Sequence, residues 1–309
     1  MKKNISFLFF PVLWLIVAVG ALAFVLGKPV VTVEPRSWQV SVEAEPLNVE
    51  LNLGPEERII ISPREEPLAP AEPVLSVEEP SSSVSPPSPQ EEWVRVAIII
   101  DDMGLGRSTA AIRDLPAEIT LSYLPYAPNL NEQVRDVLAR GHEVMLHIPM
   151  EPIGTQDPGP DALLTSLPPE EIAARVSRAL DSFHGYVGAN NHMGSKFTKD
   201  KEKMEIVVQA LRERGLFFVD SRTCSSSVAG SVARLAGVKT ANRDVFLDDT
   251  VDAESIKAQL RELEAVARKK GKAVAICHPH AITLSLLGTW VQRAIGRGVR
   301  IVPVSELVQ

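Results

Sequence analysis

Two adjacent carboxylates at the end of an apolar run are the first residues whose types and spacing suggest chemistry. Ile98, Ile99 and Ile100 lead directly into Asp101 and Asp102. A continuous β-branched run predicts a strand buried on both faces of a parallel sheet, and ligands gather at the carboxyl ends of such strands. Neighbouring strand residues point to opposite faces, but this alternation relaxes at the last residue of a strand. One carboxylate could then bind a metal while the other faces the metal-bound water, with a helix cap and a solvated acid as the alternative.

A histidine and a glutamate four residues apart follow a second predicted strand. His147 ends this strand, and Glu151 comes after it in the sequence Ile-Pro-Met-Glu. If the chain turns here, both side chains could join Asp102 in a mixed nitrogen and oxygen site that leaves water positions open, as catalytic zinc requires. An ordinary histidine and a solvated glutamate are the alternative, because His-x-x-x-Glu alone is a common pattern.

Three further predicted strand ends carry polar side chains that packing does not explain. We expect His192 to be a metal ligand or a substrate contact, and Asp220 to orient a catalytic histidine or bind substrate. Helix capping by Ser221 is the structural alternative to a role in the site. The full set is Asn190, Asn191, His192 and Ser195 after one strand, Asp220 and Ser221 after the next, and His278 and His280 after a later one.

The elements that must position these residues alternate between strand and helix from Trp93 onward. This alternation predicts a parallel α/β sheet or barrel. Residues 246–249 are predicted to be a loop that leads into a helix, and Cys277 is expected to be a buried thiol. Strands are predicted at residues 94–100, 119–124, up to 147, 186–189, 216–219, 273–277 and 299–302, and helices at 108–115, 131–140, 168–183, 199–214, 253–270 and up to about 296.

The N-terminal residues 1–27 have the pattern of a membrane segment. Lys2 and Lys3 precede an apolar run from about residue 6 to residue 27, broken only by Pro11. This run is long enough to cross a bilayer of about 30 Å, and the lysines before it predict an inner-membrane anchor with the rest of the chain in the periplasm. A cleaved signal peptide that releases the chain to the periplasm is the alternative, because residues 21–23 resemble a small-residue cleavage site.

Residues 28–92 have the composition of a spacer. They contain twelve of the 24 prolines and thirteen glutamates against four basic residues, so the acidity of the chain lies here. Such a segment cannot bury enough apolar surface to offset chain entropy, which predicts disorder. Alternation at residues 48–53 and an apolar run at 59–61 leave open a small β element, or a strand that binds an envelope partner. The remaining residues 93–309 are near neutral and have no basic run typical of nucleic-acid binding.

These motifs together resemble the polysaccharide deacetylase superfamily, and specifically its divergent branch. The resemblance rests on Asp101-Asp102, on Gly-His-Glu at residues 141–143 with His147, and on residues 148–151, 190–195, 219–221 and 278–280. It covers essentially all of residues 93–309. It implies a distorted (β/α) barrel of about seven parallel strands, a divalent metal such as Zn²⁺, and hydrolysis of N-acetyl groups on a glycan.

The resemblance also implies residue roles. Asp102, His147 and His192 would hold the metal, with Glu151 as the alternative third ligand or a neighbouring contact. Asp101 would take the proton of the attacking water, and His278 would protonate the leaving amine with Asp220 orienting it. His280 is the alternative acid, and substrate contacts are expected from Glu151, Asn190, Asn191, Ser195, Ser221 and His280.

Two departures from the family pattern keep other functions open. The Arg-x-Pro-x-Gly motif is absent, and Glu151 stands where the second metal histidine is expected. One alternative is a glycan-binding or envelope scaffold protein on a degenerate deacetylase fold. The other is a metal-dependent hydrolase of an ester or phosphodiester. The absence of an arginine cluster argues against the phosphodiester.

Overall fold

The computed structural model describes residues 50–52, 58–60, 93–106 and 112–309. The predicted membrane segment and the first half of the helix predicted at 108–115 lie outside these residues. No helix among the described residues is long and apolar enough to cross a membrane. The chain divides into two compact units, residues 1–81 and 82–309. In the first unit, β1 (Glu50–Asn52) and β2 (Arg58–Ile60) pair antiparallel, so the predicted spacer contains a small β element.

The second unit is built on a sheet of nine strands in which every pairing is parallel. The strand order is β8-β7-β6-β5-β4-β3-β10-β9, and β11 pairs with the N-terminal part of β3. This confirms the predicted α/β barrel architecture, with β8 and β9 in addition to the seven strands expected. The strands are β3 (Val94–Met103), β4 (Thr120–Tyr123), β5 (Val144–Met150), β6 (Gly188–Met193), β7 (Phe217–Asp220), β8 (Thr240–Asn242), β9 (Val245–Phe246), β10 (Lys272–Cys277) and β11 (Val299–Ile301).

The two end strands of this sheet, β8 and β9, are consecutive in the chain and are separated only by Arg243 and Asp244. These two residues therefore bridge the seam of the barrel covalently. Arg243 donates from Nε to the Ser221 carbonyl at 2.6 Å and lies 4.7 Å from the centre of the Phe246 ring. Asp244 accepts from the backbone N–H of Val274 at 2.9 Å. Side chains thus tie the seam to both of its flanks.

Helices cover the outside of the barrel. They are α1 (Leu130–Ala139), α2 (Pro169–Leu180), α3 (Lys201–Glu213), α4 (Ala229–Leu235), α5 (Ala253–Lys270) and α6 (Ala281–Ile295). Residues at both ends of helix α5 explain its bounds. Asp252 caps the N-terminus by accepting from the N–H groups of Glu254 and Ser255, and Gly271 ends the helix with a left-handed φ of 76°. Helix α4 was not predicted.

Alternation along the strands divides the core into two layers. Val96, Ile98 and Ile100 of β3 belong to the large cluster formed with the helices. Ala97 and Ile99 belong instead to a smaller cluster inside the barrel, which also contains Met145, Val219 and Ile276 from other strands and Val304 and Leu307 from the C-terminal segment. Cys277 is buried on the helix side as a free thiol, and Cys224 is also free.

Candidate metal centre and catalytic cleft

The predicted site residues continue the inward-facing rows of their strands. Asp101 comes two residues after Ile99, and His147 comes two residues after Met145. His278 stands in the same relation to Ile276. Because side chains alternate along a strand, each of these polar groups lies on the interior side, above the last apolar layer. The alternation therefore places these three polar side chains at the same end of the barrel interior.

Asp102 reaches the same site by leaving the alternation. Its φ is 56°, a left-handed conformation, and the pairing of β3 with β4 shifts register between Ile100 and Met103. Aspartate tolerates this region better than most residues, and strain of this kind is stored where surrounding structure holds it. The irregularity brings the side chains of Asp101 and Asp102 into one cleft, although the two residues are adjacent in a strand.

Three side-chain atoms from different strands converge beside Asp101. Asp102 Oδ1 lies 2.8 Å from His192 Nδ1 and 3.3 Å from His147 Nε2, and the two ring nitrogens are 3.2 Å apart. Tetrahedral ligands at the usual zinc distances of about 2.0–2.1 Å are separated by about 3.3 Å. Asp102 Oδ1 is buried and receives no well-aligned hydrogen bond from the described residues. A triangle of this size with an unsatisfied carboxylate oxygen fits a divalent cation.

The surroundings of the two aspartates favour an ionised Asp102, suited to bind a metal, and a more basic carboxylate at Asp101. Burial alone would raise the pKa of Asp102, but its close contacts with His147 and His192 outweigh this and hold the pKa below its usual range. Burial raises the pKa of Asp101, and the nearby charge of His147 only partly offsets this. Two adjacent carboxylates are therefore tuned in opposite directions.

His278 forms the other side of the cleft with an acid that the sequence reasoning missed. Its Nδ1 lies 3.1 Å from Asp248 Oδ1, and its backbone N–H donates to Asp248 Oδ2 at 2.8 Å. Thr283 donates to the same carboxylate at 3.0 Å. Burial lowers the pKa of His278, but Asp248 and the other nearby carboxylates outweigh burial and raise the pKa to about 9. His278 is thus a positively charged group whose Nε2 lies 3.8 Å from Asp102 Oδ2.

The expected role of Asp220 in orienting His278 is wrong, because Asp248 occupies that position. Asp220 is buried and accepts hydrogen bonds from the Ser227 hydroxyl at 2.8 Å and the backbone N–H of Arg222 at 2.8 Å. It also accepts from the N–H of Gly230 in α4 at 3.2 Å. Asp220 therefore secures the turn between β7 and α4.

Glu151 is not brought to the metal triangle. Its carboxylate accepts from the backbone N–H and the hydroxyl of Thr165, both at 2.6 Å, and pairs with Lys196 at 2.7 Å. His192 rather than Glu151 completes the set of Asp102 and His147. Glu151 instead anchors the segment after β5, which includes Ile153 on the wall of the cleft.

His280 is exposed and lies outside the cleft lining, with its ring centre 6.1 Å from that of His278. Its ligand atoms, with those of Asp248 and His278, form a second group within 4.8 Å. Both Asp248 oxygens already accept hydrogen bonds, so this second group fits a metal less well than the triangle does.

The four other residues predicted to contact substrate differ in their access to the cleft. Asn190 is fully buried and does not line it, so the expectation of a substrate contact at this residue is wrong. Asn191, Ser195 and Ser221 do line the cleft. Asn191 Oδ1 accepts from the N–H of Ser221 at 3.0 Å, and Ser195 Oγ accepts from the N–H of Ile153 at 2.7 Å.

The cleft above these groups has a volume of about 570 Å³. Its floor carries Asp101, Asp102 and the site histidines, while its walls combine neutral polar and apolar groups with one further carboxylate. The wall residues include Gln156, Thr223, Asp249, Ile153 and Phe246. The cleft thus opens at the carboxyl ends of the strands, where parallel α/β folds bind ligands.

Comparisons with known proteins agree with this fold. Residues 98–308 match the family described as divergent polysaccharide deacetylase. An uncharacterized protein of Haemophilus influenzae is 35% identical over 194 residues, which are 62% of this chain and 69% of that protein. The uncharacterized protein YibQ of Escherichia coli is also 35% identical over 194 residues, which are 61% of its length. A crystal structure of an uncharacterized protein from Agrobacterium tumefaciens has a TM-score of 0.68 and 33% identity, covering 73% of this chain and 93% of that one. The chain therefore belongs to the divergent polysaccharide deacetylase family.

Proposed function

We propose that this chain is a metal-dependent hydrolase that removes N-acetyl groups from an envelope polysaccharide or peptidoglycan. The observation that carries the proposal is the meeting, in one cleft, of the metal triangle, Asp101 and the His278–Asp248 pair. Family membership supports a deacetylase-like role, and the chemistry of the cleft supports hydrolysis.

Asp102, His147 and His192 would hold the metal. Two imidazoles and a carboxylate with open positions suit zinc. When bound, a divalent cation in such a site polarises a carbonyl oxygen and lowers the pKa of water toward about 7. The described residues around the triangle leave its cleft side accessible, since His192 and Asp102 both line the cleft.

Asp101 is the base of the proposed reaction. It is buried, and its Oδ2 lies 3.5 Å from His147 Nε2. Burial raises its pKa, which makes it a better proton acceptor near neutral pH. It would take one proton from the attacking water, whose oxygen forms the new bond to the acetyl carbon.

His278 is the acid of the proposed reaction. With a pKa raised to about 9 by Asp248 and the other carboxylates against the effect of burial, its ring carries a proton at neutral pH. That proton would pass to the glycan nitrogen as the C–N bond breaks, leaving a free amine and acetate. Asp248 holds the ring from its Nδ1 side, so Nε2 is the nitrogen that faces the cleft.

The direct test measures acetate released from chitooligosaccharides and peptidoglycan by the zinc-loaded full-length protein. We expect release by the wild type and a loss of at least about 10²-fold in kcat for Asp101→Asn and for His278→Gln, the usual size of a general acid or base contribution. Exposed Glu132→Gln on α1 is a control that should not change release. Glycan binding without acetate release, in all proteins, would overturn the hydrolase and favour the binding-scaffold alternative.

We also propose that the N-terminal segment anchors the chain in the inner membrane, with the catalytic unit in the periplasm and the spacer available to an envelope partner. The support is the apolar run after Lys2 and Lys3 and the acidic, proline-rich composition of residues 28–92. Membrane fractionation and intact mass of the mature chain test this. A periplasmic protein that lacks its first residues would show signal cleavage instead.

A further inference from the structure

Asn190 lies at the centre of the site although it touches neither the metal position nor the cleft. It is fully buried in β6. Its Nδ2 donates to both oxygens of Asp101, at 2.8 and 3.1 Å. Its Oδ1 lies 2.7 Å from the Ser122 hydroxyl and 2.7 Å from His147 Nδ1. One amide therefore contacts both the base and a metal ligand of the proposed enzyme.

The chemistry of these partners fixes which way the amide faces. An ionised carboxylate only accepts hydrogen bonds, so the NH₂ end of Asn190 must face Asp101. The carbonyl end then faces His147, and an amide oxygen only accepts, so His147 Nδ1 must carry the proton. In the neutral ring the other nitrogen, Nε2, then carries the lone pair, and it lies 3.3 Å from Asp102 Oδ1 and 3.2 Å from His192 Nδ1.

We propose that Asn190 is a positioning residue shared by the two halves of the site: its carbonyl selects the metal-binding tautomer of His147, and its NH₂ group holds Asp101 in place as the base. The part that concerns Asp101 rests on the proposed hydrolase function. The part that concerns His147 does not, because it requires only a metal site.

The position demands asparagine for reasons visible in the contacts. Leucine has a similar volume but neither donor nor acceptor, so it would free both partners and leave Asp101 buried without its amide. Aspartate keeps an acceptor for His147 Nδ1 but replaces the donor to Asp101 with a second carboxylate. The two substitutions therefore separate the two roles.

The experiment compares full-length wild type, Asn190→Asp and Asn190→Leu, with exposed Asn131→Asp in α1 as a matched control. Zinc affinity is measured by chelator competition, kcat and KM by acetate release, and the His147 tautomer by ¹⁵N NMR of the metal-free protein. We expect Asn190→Leu to bind zinc about 10–100-fold more weakly, the usual loss when the partner of a ligand is removed. We expect Asn190→Asp to keep zinc affinity within about threefold but lose kcat by about 10²-fold with KM nearly unchanged.

Equal zinc affinity in wild type and Asn190→Leu, or equal loss of zinc in both Asn190 variants, would overturn the inference. If Asn190→Leu does not fold, the wild-type tautomer decides, because a His147 ring that is protonated at Nε2 and unprotonated at Nδ1 contradicts the assignment. If wild-type protein binds zinc but releases no acetate, the hydrolase proposal fails while the zinc and tautomer results still judge the role of Asn190 toward His147.

Discussion

The pairing of His278 with Asp248 predicts a specific dependence of stability on pH in the metal-free protein. The pKa of His278 is raised to about 9 because the nearby carboxylates, Asp248 first among them, outweigh burial. An unfolded histidine titrates near about 6.5. A group with a raised folded pKa contributes stability that is fully present below about pH 6.5 and is lost as the pH rises through about 9.

The size of the effect follows from the shift. A difference of about 2.5 pKa units, at 1.36 kcal/mol per unit, corresponds to about 3 kcal/mol. For a folded unit of this size, each kcal/mol moves Tm by about 2–4 °C. The free-energy difference between wild type and His278→Gln should therefore fall by about 3 kcal/mol between pH 6 and pH 10, and the difference in Tm by about 6–12 °C.

The assay is chemical or thermal unfolding of the full-length protein with a chelator present, at pH 6 and at pH 10, for wild type and His278→Gln. Other titrating groups are common to both proteins and cancel in the difference. Asp248→Asn should remove a large part of the pH dependence, whereas the matched change Asp249→Asn at the exposed neighbour should keep most of it. A difference between wild type and His278→Gln that is the same at both pH values would refute the reasoning.

Three further outcomes test the site and its supports. Asp102→Ala and His192→Ala should each abolish stoichiometric zinc in the purified protein, measured by elemental analysis, and retention of zinc in both would contradict the ligand set. Asp220→Asn should cost about 1–3 kcal/mol of unfolding free energy by weakening a buried acceptor, with kcat nearly unchanged, and a selective loss of kcat would restore a catalytic role. Glu151→Gln should raise KM more than it lowers kcat and leave zinc affinity unchanged, since it weakens the wall of the cleft and not the triangle; loss of zinc would return Glu151 to the ligands.

The sequence predicted the fold well where strands were apolar and long enough to show their period. β3 and β10 are of this kind, and the site residues at their ends could be found by counting from the apolar run. β6 was predicted to end at Ala189, yet it extends to Met193. Its upper half is polar because it serves the site, so local pattern and function conflict there.

Other features depend on contacts that no local pattern shows. β8 and β9 have three and two residues, too few to display alternation. Asp220 and Asp248 both follow predicted or observed strands, and only the order of strands across the seam decides which one meets His278. The fully buried state of Asn190 likewise follows from its neighbours on adjacent strands rather than from its own segment.

Asp101, His147 and His278 each come two residues after the last apolar side chain that faces the barrel interior. This spacing limits the insertions and deletions that these strands can tolerate. A one-residue deletion between Met145 and His147 would turn the imidazole toward the helices, with hardly any change in composition. A two-residue change would restore the direction but displace the group by about 7 Å along the strand. Homologous positions in distant relatives are therefore better located by counting along each strand from the interior row than by matching residue types alone.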